Sequence, residues 1–101
     1  MNPTTEHMME ALTLIQEFSL HHPTLPAPYI TLHTSSTGTT ALGIQLQYAD
    51  EFEMWREALN LDATDVRLAG TITIRPWLDL RKENYLPGVD VNLTGHGLFI
   101  P

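Results

Sequence analysis

Five histidines, His7, His21, His22, His33 and His96, are the residues of this chain best suited to acid–base or metal chemistry near neutral pH. A metal site needs ligands that converge from defined spacings, such as two histidines one helical turn apart. His7 has no such partner on its helix, and His21 and His22 are neighbours at a helix terminus, where an imidazolium complements the helix dipole. His33 falls in a strand and His96 between Gly95 and Gly97, so an enzymatic reading rests on one of these two acting as a base beside an acidic residue. Nucleophilic catalysis asks for an activated serine, and Ser19, Ser35 and Ser36 lie on a helix and in a polar loop without a nucleophile-elbow pattern. The paired carboxylates, Asp50 with Glu51 and Asp62 with Asp65, fall at helix boundaries, where capping accounts for them. The glycines assemble neither a phosphate loop nor a dinucleotide fingerprint. The expectation is therefore no catalytic, cofactor-binding or metal-ligating residue, and no enzyme.

The elements that must position any site follow from hydrophobic period. Asn2 before Pro3 reads as a helix N-cap, and Met8, Ala11, Leu12, Ile15 and Phe18 form one stripe, which predicts a helix over about Pro3 to Leu20. Pro23, Pro26 and Pro28 stop it. Tyr29 to Thr34 reads as a strand from its β-branched and aromatic content, and the polar run Ser35 to Thr40 turns the chain into a second. In the second, Leu42, Ile44, Leu46 and Tyr48 alternate with Gly43, Gln45 and Gln47. The period then switches: Phe52, Trp55, Ala58 and Leu59 predict a helix from Asp50 to Leu61, with Asp50 as cap and Glu53 closing a capping box.

Beyond it, Val66, Leu68, Gly70, Ile72 and Ile74 alternate with polar neighbours, predicting a long strand that ends at Pro76. Trp77 to Glu83 fits either a strand with Leu78 and Leu80 inward or a short helical turn. Pro87-Gly88 signals a type II turn, and Val89, Val91 and Leu93 make a final strand. The order αββαβββ with short connections predicts an α+β fold in one domain. Its form is a two-layer sandwich: a mainly antiparallel sheet of about five strands, with two helices on one face.

Covering one sheet face leaves the alternate residues on the other. Gln45, Gln47, Thr71, Thr73, Asp90, Asn92 and Thr94 fall there, with Thr31 and His33 beside them. Short neutral side chains of this kind lose little rotamer entropy when an interface orders them, although a solvated face needs no partner at all. Trp77 fits either a core rim or an interface anchor, and the apolar run Leu98, Phe99, Ile100 either folds back or docks on another chain. The expected partner-binding set is Gln45, Gln47, Thr71, Thr73, Asn92, Thr94, Trp77 and Phe99.

The net charge of -7, from 12 acidic and 5 basic residues, argues against direct nucleic-acid binding, which needs clustered cations. The absence of cysteine excludes disulfides and thiolate chemistry. No stretch reads as a signal peptide or a membrane span, so a cytoplasmic protein is expected. At FEMWREALNL and the LTGHG that ends the last strand, the chain resembles a recurring kind of small accessory protein of actinobacteria and their phages or integrative elements. Phe52, Trp55, Arg56, Glu57, Ala58 and Leu59 carry the resemblance. That group supplies no activity to transfer and no functional residue. The expected function is a small acidic, non-catalytic module that binds another protein, of inhibitor, immunity or mobile-element type, or that binds itself as a homodimer. A phage structural or assembly role and a histidine-dependent enzyme are the alternatives.

Overall fold

The computed structural model describes residues 2–70 and 76–97. A 3-10 turn, Thr5–Met8, leads into helix α1, Met9–His21, and is followed by strands β1, Tyr29–Thr34, and β2, Thr40–Leu46. Helix α2, Ala49–Ala58, and a second 3-10 turn, Ala63–Asp65, precede β3, Arg67–Ala69, β4, Trp77–Leu86, and β5, Val89–Gly95. The five strands form one sheet in the order β1-β2-β5-β4-β3. β2 and β5 are parallel, and the other three pairs are antiparallel. The expected α+β architecture with a mainly antiparallel sheet is what the chain adopts, with one difference. β5 slots between β2 and β4, so the centre of the sheet is a parallel pair that short connections did not foretell.

One face of the sheet is sealed. Leu42, Ile44 and Leu46 of β2, Val89, Val91 and Leu93 of β5 and Leu80 of β4 are buried with Ala11 and Leu14 of α1 and Phe52 and Trp55 of α2. Alternation along β2 and β5 puts every leucine, isoleucine and valine of the two strands on this side, as a two-residue period requires. Trp55 also ties α2 to the connector between α1 and β1, donating its indole N–H to the Pro26 carbonyl at 2.8 Å. Thr40 is the buried polar exception, and its hydroxyl bonds the His7 carbonyl at 2.7 Å and the Thr34 hydroxyl at 2.9 Å. It fastens the N-terminal turn to the β1–β2 hairpin.

Several expected boundaries move for physical reasons. The first helical segment starts at Thr5, because Thr4 is extended and donates its backbone N–H to His7 Nδ1 at 3.0 Å. His7 thus does the capping assigned to Asn2. Within α1 the buried positions are Ala11 and Leu14, and Leu12 faces out. α2 begins at Ala49 with Tyr48 as its cap residue, so Asp50 lies inside the first turn, and the Glu53 carboxylate is taken by Arg56. The helix closes on Asn60, which adopts φ 58 while Leu61 N–H reaches back to the Arg56 carbonyl at 3.0 Å. β3 ends at Ala69, before Gly70 at φ 115, a backbone state that a side chain would strain. Ile72 and Ile74 lie outside the described residues. Trp77 to Glu83 belongs to a strand, not a helical turn. Among the described residues no helix is long and apolar enough to cross a membrane.

Candidate binding face

Strand register arranges the uncovered face in rows. Tyr29, Gln45, Thr94, Asp79 and Arg67 stand side by side across β1, β2, β5, β4 and β3. Thr31, Gly43, Asn92 and Arg81 form the next row. Gln45, Asn92 and Thr94 of the expected binding set therefore meet at the centre of the face. Gly43 lets the Thr31 side chain lean across β2, because a Cβ there would lie 2.2 Å from the Thr31 hydroxyl. The Thr94 hydroxyl oxygen is sealed from solvent and has no hydrogen-bond partner among the described residues. An unpaired buried hydroxyl costs about 1–3 kcal/mol, so this row is not optimised for the stability of the free chain.

The ends of the face differ in character. Gln47 lies just past β2, with its carbonyl against Gly97, where a Cβ would come within 2.2 Å. Trp77 opens β4, is half-buried, and sits with its ring centroid 6.4 Å from that of His96. Thr71, Thr73 and Phe99 lie outside the described residues. Toward β3 the face carries charge: Asp79 is largely covered and has Arg81 Nε at 3.5 Å, with Arg67 directly opposite. Arg67, Asp79, Arg81 and Lys82 line an open trough of about 730 Å³. These charges were missed while Trp77 to Glu83 could be either helix or strand, since only the strand reading places Asp79 and Arg81 on this side. The face is neutral toward β1 and ionic toward β3.

The histidines do not gather. His7 is engaged in the N-terminal turn, His22 stacks on Phe18 with ring centroids 5.3 Å apart, and His96 lies beside Trp77. His33 is exposed on the open face at the rim of a hollow of about 390 Å³ shared with Ser35, Glu83 and Asp90. Asp90 has a structural duty there. Its carboxylate accepts the Asn84 backbone N–H at 2.9 Å, holding Asn84 at φ 51 where the β4–β5 register slips. Among the described residues no three His, Asp or Glu side chains are placed to share a metal ion.

Arg56 is the residue whose role the sequence conceals most. Although it sits on α2 among glutamates, its side chain is only 13% exposed. Its guanidinium donates to the Glu53 carboxylate and to the Leu61 carbonyl, joining α2 to the segment that follows. The hydrogen bond from Arg56 holds the Glu53 carboxyl below the ordinary carboxylate range. Asp62 is likewise lowered, by the backbone N–H and hydroxyl of Thr64, both at 2.9 Å. Tyr85 donates its hydroxyl to the Leu59 carbonyl at 2.8 Å, and burial pushes its phenol upward. These perturbed groups sit at element junctions, where they are structural.

The outer surface of the helices is acidic. Glu6, Glu10, Glu17, Asp50, Glu51, Glu53 and Glu57 all fall in the 3-10 turn, α1 and α2, against one arginine, Arg56, and no lysine. Compared with known proteins, the chain matches no family model, no curated protein and no solved structure.

Proposed function

We propose that the chain is a small non-catalytic binding module, an accessory protein that docks another protein against its open sheet face. The observation that carries this reading is the central row of that face. Gln45, Asn92 and Thr94 form a neutral patch that includes the solvent-sealed Thr94 hydroxyl, which has no hydrogen-bond partner among the described residues. The patch is flanked by Tyr29 and, at its end, by Trp77, the aromatic types that anchor interfaces. A partner that orders short amide and hydroxyl side chains gives up little rotamer entropy. The assignment to an inhibitor, immunity or mobile-element role, acting in the cytoplasm, rests on the accessory character of the module and on the resemblance around Phe52 to Leu59.

A second surface supports a different docking mode. The carboxylates of α1 and α2 make a field that attracts a basic partner and speeds its approach. The two modes separate in one experiment. Tagged chain is used to capture proteins from the lysate of its source cell, alongside the isosteric variant Gln45→Glu with Asn92→Asp. That variant puts charges at the centre of the open face without changing its shape. A specific partner lost by the variant at unchanged fold supports docking through the open face. A wild-type chain that captures nothing, or a variant that captures as well as wild type, overturns it.

A further inference from the structure

β1 lies at one edge of the sheet and β3 at the other. Natural sheets blunt such edges with short strands, charged residues, proline or bulges, because exposed N–H and C=O groups invite further pairing. β3 is blunted: it has three residues, carries Arg67 and runs into Gly70. β1 is not. Its sequence YITLHT holds no lysine, carboxylate or proline, and its register with β2 is unbroken over all six residues. No further strand flanks it among the described residues.

The hairpin decides which backbone groups face outward. Ser35 N–H donates to the Thr39 carbonyl and Gly38 N–H to the Ser35 carbonyl, both at 2.9 Å, with Gly38 at φ 89. This is a three-residue loop closed by a glycine bulge. Ser35 therefore turns toward β2, and alternation makes His33, Thr31 and Tyr29 do the same. Ile30, Leu32 and Thr34 turn their N–H and C=O groups away from the sheet. Pro28 has the same outward parity, and its missing N–H bounds the edge at that end.

We infer that this edge pairs antiparallel with β1 of a second copy of the chain, about a two-fold axis at Leu32. Leu32 then faces Leu32 of the second copy, and Ile30 faces Thr34 in both directions. Three outward residues per copy each donate one N–H, giving about six new main-chain bonds in a closed, self-complementary interface. On the open face Thr31 meets His33 of the second copy, and no charge faces another. Two chains of charge -7 repel one another, with seven of the carboxylates on the first 3-10 turn, α1 and α2, so a neutral strip is where like copies approach at least cost. Apolar surface is continuous with the strip. Tyr29 is 67% exposed, and a groove of about 250 Å³ lined by Ile15, Phe18 and Trp55 reaches Ile30. Pairing would join two open faces into one platform without occupying either, so it stands apart from what that face binds.

Sedimentation equilibrium of the full chain tests the pairing, with a register-specific pair of variants. Wild type is expected to dimerise, more tightly as salt screens the repulsion between copies. Thr31→Lys with His33→Lys sets like charges opposite one another twice and is expected to weaken the dimer about tenfold or more, although it lowers the overall negative charge. Thr31→Glu with His33→Lys sets opposite charges across the same positions and is expected to restore it. Independently of any variant, the amides of Ile30, Leu32 and Thr34 should exchange more slowly as wild-type concentration rises, while those of Thr31 and His33 hold steady. A monomer up to about 1 mM overturns the inference. So does a dimer that neither variant shifts, or exchange at Ile30, Leu32 and Thr34 that ignores concentration. Each of these leaves the open-face reading intact, because capture of a different protein is measured separately.

Discussion

The two faces of the sheet are built from the same strands and do opposite work. On β2 and β5, Leu42, Ile44, Leu46, Val89, Val91 and Leu93 are nearly inaccessible beneath the helices. Their immediate neighbours Gln45, Asn92 and Thr94 carry no layer above them among the described residues. The inner set is over-determined: each residue packs against several others, and each loss opens a cavity. The outer set is under-determined, to the point of holding a sealed hydroxyl that has no partner among the described residues. Where side chains are not needed for folding, they are available for recognition. Substitutions should therefore separate stability from binding according to which way a side chain points.

The largest effect is expected at Phe52, which is buried and presses its Cβ so close to β5 that a Cβ on Gly95 would lie 2.7 Å away. Phe52→Ala should cost about 3–5 kcal/mol in urea unfolding, enough to threaten a domain of this size. Next comes Thr40→Val, which keeps the shape but strips the His7 carbonyl and the Thr34 hydroxyl of their shared partner. A loss of about 1–3 kcal/mol is expected, with fraying of the N-terminal turn visible in amide exchange. Tyr85→Phe removes one hydrogen bond to the Leu59 carbonyl and should cost about 1 kcal/mol.

The same tyrosine gives an alkaline signature. Burial raises its phenol, so above about pH 10 the unfolded chain loses a proton that the folded chain retains. Its contribution is fully present below that pH and fades as pH climbs through the folded value. Tyr85→Phe should flatten this part of the pH–stability curve. The smallest effect is expected on the open face, where Gln45→Glu with Asn92→Asp should move stability by no more than about 0.5 kcal/mol. A loss there as large as that of a core substitution would erase the distinction between the faces.

The division between faces was legible in the sequence because a two-residue period names the face of each residue without naming its neighbours. Leu42 to Leu46 and Val89 to Leu93 display that period cleanly, and the switch at Asp50 announces α2. Pairing order was not legible. Nothing in the alternation of β5 says that it inserts beside β2 in parallel, since that depends on where α2, β3 and β4 carry the chain. β4 was ambiguous for a local reason: the register slip between Lys82 and Leu86, with Asn84 at positive φ, breaks the period that would have declared a strand. The bonds that tie elements together were hidden as well. Arg56 to Leu61 and Thr40 to His7 join residues whose types promise nothing in isolation.

The outer surfaces supply the most direct test. Gln45→Glu with Asn92→Asp alters the neutral sheet face, whereas Glu10→Lys with Glu17→Lys reverses part of the acidic helix face, and all four positions lie away from the core cluster. Capture of the cellular partner is measured for both variants at equal folded concentration. The expected result is that the sheet-face variant loses the partner and the helix-face variant retains it. Retention by the sheet-face variant together with loss by the helix-face variant would contradict docking through the open sheet and assign recognition to the carboxylates.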